Sequence, residues 1–315
     1  MPFDDGSALQ DDAPCQISAR VSSDRGRTWS DVLTLQENHG ADNVKHPNLV
    51  RLPSGRIIFT YTERNHAEQR LRLWLRISDD ECETFSEPRD ITPGPGWYFT
   101  NADHILRLSS GRLILPCHAG PFYGKGDHWQ AFCLYSDDDG DSWAESRTKM
   151  DLPKRGAEEP AVIERSDGSL FAILRSSLGK LYCGWSNDAG ETWSEPEATD
   201  LNSPAVANCM KRMPGGELLL IWNDTSPYDQ ETHRPRNPLR TAISRDEGKS
   251  WENRRTIEDR FGYDNAYPSA TFVGDEALVG YYSTIRSGMR RGNNGEVKLK
   301  IYPIDWFLEH SPYEK

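Results

Sequence analysis

The sequence predicts an all-β fold, and its composition and two repeated motifs lead to that prediction. The 315 residues include 20 Pro, 25 Gly, 10 Trp, 12 Tyr and 10 Phe, which suits short strands and tight turns better than long helices. An acidic turn motif recurs along the chain, and a hairpin-like motif recurs in step with it. A period of roughly 50–60 residues indicates a fold built from repeated supersecondary units.

The first repeat is an eight-residue box of the form S-x-D-x-G-x-[T/S]-W. Four copies begin at Ser22, Ser136, Ser186 and Ser244, and a diverged copy, SDDECETF, begins at Ser78. In such a turn Asp can cap backbone N–H groups, Gly can adopt a positive φ, and the aromatic residue can pack underneath. Because five equivalent active sites in one chain are improbable, we interpret the box as structural rather than as a calcium or acid/base site.

The second repeat is a tight turn flanked by apolar and β-branched residues, which indicates a hairpin. Its copies are LPSGRIIF from Leu52, LSSGRLIL from Leu108, RSDGSLFAIL from Arg165, MPGGELLLIW from Met213 and the diverged VGDEALVGYY from Val273. Each unit therefore contains two hairpins, hence four strands, which is the size of a propeller blade.

Six units can be counted, so the sequence predicts a six-bladed β-propeller spanning residues 1–315 as a single domain. The first unit supplies only an outer strand pair around Ser22, and the last has an inner hairpin from Tyr267 to Thr284 followed by EVKLKIYPIDWF without a box. We therefore expect either that the first blade is incomplete because the natural start is missing, or that the ring closes in an unusual way.

Charge and cysteine usage narrow the function classes. The formal net charge of −12 argues against a nucleic-acid or anionic-membrane partner, although local Arg clusters can still hold an anionic ligand. The six cysteines form no CxxC pair, so buried free thiols are expected. Since no signal-like leader and no 18-residue apolar run occurs, we expect a cytoplasmic protein, or a secreted one if an N-terminal segment is missing.

The boxes and the polar residues between them resemble the Asp-box (BNR repeat) sialidases and sialidase-like proteins, which are six-bladed β-propellers. The matching residues arrive in the family's order over essentially the whole chain. They are Asp11 shortly before the first box, Glu159 and Arg175 at the two ends of EEPAVIERSDGSLFAILR, Arg236 in HRPRNPLRTAIS and Tyr267 in NAYPSA.

The resemblance implies an exo-alpha-sialidase (neuraminidase)-like glycoside hydrolase that needs no cofactor or metal. Tyr267 would be the nucleophile, Glu159 its base and Asp11 the general acid/base, while Arg175 and Arg236 would bind the substrate carboxylate. A guanidinium offers the planar donor pair that a carboxylate requires, and a neutral Tyr hydroxyl avoids repulsion from that carboxylate. Glu158 and Asp12 remain alternatives to their neighbours, and the arginines and Tyr267 have ordinary surface or strand roles as alternatives.

Several positions depart from the family pattern. Family sialidases bind the carboxylate with three arginines, and the first, in an RIP-like motif, would here fall before Met1. His46 stands where sialidases often have an Asp that helps hold the N-acyl group, and Asp103 and His104 stand where related sequences read Asn-Asp-Arg. A substrate role and a capping or turn role are both open for these three residues.

These observations predict an exo-glycosidase acting on a carbohydrate with a terminal acidic sugar, sialic acid or a relative. Two alternatives from other classes remain. One is a non-catalytic propeller that binds a glycan or a protein. The other is a uronate-directed lyase or glycosidase using His46 or His104 as acid or base.

Overall fold

The computed structural model describes residues 13–122, 126–225, 236–287 and 290–309. Within these ranges the chain forms 22 strands and a single short helix, α1 (Asp305–Leu308). The prediction of an all-β fold is therefore confirmed.

The strands form antiparallel groups that follow the order of the sequence repeats. A two-stranded sheet comes first and contains β1 (Ile17–Ala19) and β2 (Leu33–Gln36). A nine-stranded sheet follows, in which β7 (Trp97–Thr100) joins two antiparallel groups. The first group is β3 (Asn43–Arg51), β4 (Ile57–Asn65), β5 (Arg70–Ser78) and β6 (Arg89–Asp90), and the second is β8 (Leu106–Arg107), β9 (Leu113–Gly120), β10 (Gln130–Ser136) and β11 (Ala144–Glu145).

Two four-stranded sheets and a three-stranded sheet complete the order. The fourth unit is β12 (Glu158–Glu164), β13 (Leu170–Arg175), β14 (Lys180–Ser186) and β15 (Glu197–Asn202). The fifth is β16 (Cys209–Arg212), β17 (Leu218–Asn223), β18 (Leu239–Ser244) and β19 (Glu252–Glu258). The last is β20 (Tyr263–Val273), β21 (Glu276–Ser287) and β22 (Arg290–Pro303).

The box closes on itself through its own residues, as the structural interpretation predicts. In the copy at 186–193, Ser186 Oγ donates to Asp188 Oδ1 at 2.8 Å and accepts the N–H of Gly190 at 2.9 Å. Thr192 donates its N–H to Oδ1 at 2.8 Å and its hydroxyl to Oδ2 at 2.6 Å. Gly190 has a φ of 90°, which glycine adopts at little cost. The turn therefore links the third and fourth strands of its unit through bonds among its own residues, and Ser146 and Arg147 of the preceding unit bond to it as well.

The box glycines also fix how neighbouring units pack. A Cβ added to one of these glycines would lie within 3.2 Å of a side chain in the preceding unit: Ile58 for Gly140, Ile114 for Gly190 and Phe171 for Gly248. The glycine of the first box, Gly26, packs in the same way against the last unit, where it lies against Leu278 and Leu299. Arg27 adds an ion pair to Glu276 at 2.6 Å, so the first and last units are in direct contact.

The structure also bears on the state of the cysteines and on membrane-spanning helices. All six cysteines are free, but only Cys117, Cys133 and Cys209 are buried, while the other three are half-buried. The expectation of burial was wrong for those three, which lie on the more accessible outer strands and turns. The part of the chain that the structure describes contains no helix with the length and apolar character needed to cross a membrane.

Candidate functional site

The first strands of three units bend at the residue before a proline. His46, Glu159 and Tyr267 have φ values of 56°, 44° and 53°, and the strand register shifts at each of them. The left-handed region is uncommon for such residues, and strained conformations cluster at binding and catalytic sites. The bulges take these side chains out of the regular alternation of their strands.

The bulges bring Glu159 and Tyr267 together although 108 residues separate them. Tyr267 donates its hydroxyl to Glu159 Oε1 at 3.2 Å. Burial is the main cause that raises the pKa of Tyr267, and the Glu159 charge adds to it. The hydroxyl is therefore protonated in the free protein, with a carboxylate beside it that can accept the proton.

Arg175 lies at the end of the buried strand β13, next to this pair. Its Nη1 is 2.9 Å from Glu159 Oε2 and 3.5 Å from the Tyr267 hydroxyl. The contact with Glu159 is an ion pair rather than an aligned hydrogen bond, since Oε2 receives no hydrogen bond of good geometry from the residues that the structure describes. Burial alone would raise the pKa of Glu159, but the combined influence of Arg175, His118 and His46, with Arg175 the largest of the three, lowers it to about 2.

Arg236 approaches the tyrosine from the other side. Its backbone is fixed by Asp264 and Asn265, through bonds of 3.1 and 2.7 Å. Its guanidinium donates to the Tyr282 hydroxyl, and its Cζ lies 5.5 Å from the centre of the Tyr267 ring, within cation–π range. The two tyrosine rings stack with centroids 5.7 Å apart. Two guanidinium groups therefore lie beside the Tyr267 side chain, Arg175 at its hydroxyl and Arg236 over its ring.

His118 supports the site, although nothing near it in the sequence pointed to this role. Its Nδ1 lies 3.2 Å from the backbone N–H of Glu159 and can accept its hydrogen. The ring stacks on Phe99 at 5.0 Å and 6°, and burial lowers the pKa of His118 to about 3. A neutral imidazole therefore holds the backbone of the bulged glutamate. Asp127, Arg155 and Tyr282 were also missed, because their contacts depend on strand register and loop position rather than on a local motif.

His46 and Asp103 each have a partner within the fold. His46 Nδ1 is 3.1 Å from Thr62 Oγ1, and His46 contributes to the low pKa of Glu159. Asp103 has a φ of 60° and forms an ion pair with Lys211 at 3.0 Å. Together with inner-strand residues of the third, fourth and fifth units, Asp103 and Lys211 line a cavity of about 250 Å³.

His104 is used within the fold. It is 6% exposed, and its two ring nitrogens lie 3.0 and 3.1 Å from the carbonyl oxygens of Pro160 and Asn208. Its backbone N–H donates to Asn48 at 2.7 Å. A residue that ties together the inner strands of several units in this way fits the structural alternative better than a substrate-binding role.

Two pairs of alternative residues remain, the aspartates near the start of the chain and the two adjacent glutamates. Asp11 and its alternative Asp12 lie outside the described residues. Of the two adjacent glutamates, Glu159 contacts the Tyr267 hydroxyl, whereas Glu158 lies 3.7 Å from Nη2 of Arg175.

Comparison with known proteins places the chain in a family. Residues 10–97 and 44–281 match the model of a BNR repeat-like domain. The chain is 29% identical over 214 residues to a sialidase of Paraclostridium sordellii, covering 59% of this chain and 51% of that protein. It is 31% identical over 137 residues to an anhydrosialidase of Macrobdella decora, covering 39% of this chain and 16% of that one.

A solved structure agrees in fold. The intramolecular trans-sialidase of Ruminococcus gnavus superimposes with a TM-score of 0.74 at 15% identity, covering 95% of this chain and 90% of that one. At this identity the likeness concerns the fold, and the chain spans only about half of the first curated relative. The family-model match extends over most of the chain. The chain belongs to the family of BNR repeat-like, sialidase-like proteins.

Proposed function

We propose that the protein is a retaining exo-glycosidase that releases a terminal acidic sugar, sialic acid or a close relative, from glycoconjugates. The observation that carries this proposal is the 3.2 Å contact between the Tyr267 hydroxyl and Glu159, with Arg175 and Arg236 beside it. A base, a hydroxyl nucleophile and two permanent cations suit a carboxylate-bearing sugar.

The proposal includes the architecture around that site. Residues 1–315 form one domain in which six units surround a common axis as a six-bladed propeller. The packing of Gly26 against Leu278 and Leu299 of the last unit supports closure of the ring. The bulged residues Glu159 and Tyr267 then belong to inner strands at one end of the axis, where a single substrate can reach both.

Substrate recognition rests on Arg175 and Arg236. Both are mostly buried and remain protonated, because the nearby acidic groups offset the burial that would lower each pKa. The substrate carboxylate binds between these guanidinium groups and displaces Glu159 from its ion pair with Arg175. His46 and Asp103 border the same inner strands and are the proposed contacts for the rest of the sugar.

Catalysis follows from the order of proton transfers. Glu159 accepts the proton of Tyr267 as the tyrosine oxygen attacks the anomeric carbon, and Asp11 protonates the leaving oxygen. Displacement of Glu159 from Arg175 raises the pKa of Glu159 at the moment when a base is needed. Water then attacks the anomeric carbon of the glycosyl–tyrosine intermediate and gives its proton to Asp11, while the bond to the Tyr267 oxygen breaks and that oxygen takes its proton back from Glu159. Two inversions at the anomeric carbon retain its configuration.

A fluorogenic sialoside tests the proposal. The wild-type protein is expected to release the fluorophore, and NMR of the first-formed sugar is expected to show retained configuration. Binding of the sugar without turnover would instead favour a non-catalytic glycan-binding protein. Absorbance of an unsaturated product from a uronate-containing oligosaccharide would favour a lyase.

A further inference from the structure

Five side chains of alternating charge form a row that ends at Tyr267. Arg155 binds both carboxylate oxygens of Asp127 at 3.0 Å. Glu158 Oε2 lies 3.5 Å from Nη2 of Arg155 and 3.7 Å from Nη2 of Arg175. Arg175 then contacts Glu159 through its other amino group at 2.9 Å. Two adjacent glutamates therefore share one guanidinium.

The backbone explains why adjacent side chains reach the same arginine. Glu158 is paired directly with Arg175 across the β12–β13 ladder, so the sheet register fixes its position. The bulge begins at the next residue and turns Glu159 towards Tyr267. One glutamate is held by the sheet, and the other is placed by a local departure from it.

Glu158 is poorly compensated for a buried carboxylate. It is 3% exposed, and its Oε1 has no hydrogen-bond partner among the residues that the structure describes. Burial raises its pKa, and the attraction of Arg175 and Arg155 offsets this only in part. The ion-pair distances of 3.5 and 3.7 Å are longer than those of a charge-assisted hydrogen bond.

We propose that Glu158 sets the affinity of the site for an acidic sugar, an inference that rests on the proposed function. As the second carboxylate on Arg175, it competes with the ligand carboxylate and weakens the hold of the guanidinium on Glu159. The consequence is a site that binds an acidic sugar less tightly than its two arginines allow. In return, Glu159 remains available as the base for Tyr267, and the acidic product leaves.

The direction in which ligand affinity changes when Glu158 is neutralised distinguishes competition with the ligand from a role in which Glu158 only holds Arg175 in place. Like charges a few ångströms apart repel strongly in a buried site, so removing the Glu158 charge should tighten the binding of an anion. A residue that only holds Arg175 in place would have the opposite effect, because its loss would disorder the guanidinium and weaken binding.

Glu158→Gln tests this with two readouts. We expect binding of 2,3-didehydro-2-deoxy-N-acetylneuraminic acid, measured by calorimetry, to tighten about tenfold, which corresponds to about 1.4 kcal/mol. We expect KM for a fluorogenic sialoside to fall and kcat to fall several-fold, because Arg175 then holds Glu159 more firmly. The control is Glu197→Gln, an exposed glutamate on β15 of the same unit, which should match the wild type in both readouts.

A pH series on the wild-type protein gives the same test without a variant. Glu158 faces Arg155 from the preceding loop and Arg175 from β13, with Glu159 beside it and Asp127 behind Arg155. Burial raises the pKa of Glu158 above the ordinary value of 4.5, so lowering the pH through this raised pKa neutralises Glu158. Affinity for the acidic ligand should therefore rise as the pH is lowered from neutral towards the raised pKa of Glu158, and this rise should be absent in Glu158→Gln.

The outcomes separate the two proposals. Weaker binding in Glu158→Gln, unchanged binding, or a wild-type affinity that does not rise as the pH is lowered overturns the inference and leaves the proposed function standing. A wild-type protein that neither binds the didehydro sugar nor cleaves the sialoside overturns the proposed function and this inference with it.

Discussion

The turn boxes and the Tyr267 site use the same chemical groups in opposite ways. In each box, an Asp carboxylate accepts hydrogen bonds from hydroxyl and N–H groups within four positions of it. At the site, carboxylates meet a hydroxyl and guanidinium groups that come from other units, up to 108 residues away. The boxes are repeated, local and accessible, whereas the site occurs once and is buried.

The pKa values show that the carboxylates of the two arrangements are stabilised by different groups. The pKa of Asp138 in its box falls to about 2 because neutral Ser142 and Ser136 groups donate to it. The pKa of Glu159 also falls to about 2, but there burial opposes the shift, and Arg175 together with His118 and His46 produces it. The box carboxylate is held by neutral donors close to it in sequence, whereas Glu159 is held mainly by Arg175, a cation that another anion could also bind.

The largest expected effect is loss of turnover in Tyr267→Phe. Removing the nucleophilic oxygen should lower kcat by about 10³-fold or more, while the ring still packs on Tyr282 and the fold is retained. The measurement is sialoside turnover together with thermal unfolding. Tyr135→Phe, a tyrosine packed on Arg112, serves as the control, and equal losses in both variants would remove the special role of Tyr267.

The next effect separates a buried ion pair from an exposed one. Arg175→Ala leaves Glu158 and Glu159 buried without their main cation, so the free energy of unfolding should fall by about 3–5 kcal/mol. Arg147→Ala removes an arginine that is 65% exposed and pairs with box residues Asp188 and Glu191, at a cost of at most about 1 kcal/mol. Urea denaturation measures both, and similar losses would contradict the comparison.

Asp138→Ala examines a box directly. Losing a carboxylate that caps backbone N–H groups should cost about 0.5–2 kcal/mol and leave kcat/KM unchanged. Because the folded pKa lies below that of the unfolded chain, the stabilisation is complete above about pH 4 and disappears as the pH falls through about 2. Unfolding of the wild type and the variant should therefore converge in strong acid, and a constant difference would contradict this account.

The smallest effect concerns the diverged box. Cys82 has a φ of 67° at the position where the other boxes have glycine. Cys82→Gly should therefore raise the free energy of unfolding by about 0.5–1 kcal/mol, since glycine adopts this conformation without strain. Cys82→Ala is the matched control, because it removes the thiol and keeps the strain. A gain in the alanine variant would assign the effect to the thiol.

The difference between local contacts in the boxes and long-range contacts at the site explains which parts of the structure could be predicted from the sequence. The boxes and hairpins were readable because most of their partners lie within a few positions, so the all-β fold and the box turns agree with expectation. Glu159, Arg175, Arg236 and Tyr267 were proposed from their resemblance to a family, and the structure brings them together. Its register and bulges, which no local pattern encodes, supply the distances.

What could not be predicted depends on contacts between units. His118 meets the backbone of Glu159 only because β9 lies beside β12. The shared hold of Glu158 and Glu159 on Arg175 depends on a bulge at one residue. His104 illustrates the reverse, since its position suggested a substrate contact and its ring nitrogens instead face two backbone carbonyls.

The central claim is that Tyr267, served by Glu159 between two arginines, attacks the anomeric carbon of an acidic sugar. The most direct test is incubation with a 2,3-difluorinated sialic acid, whose glycosyl–enzyme intermediate hydrolyses slowly, followed by intact mass and peptide mapping. The account predicts one adduct per chain on the peptide containing Tyr267, and none in Tyr267→Phe. An adduct on another residue, or turnover of sialosides with no adduct on Tyr267, would contradict it.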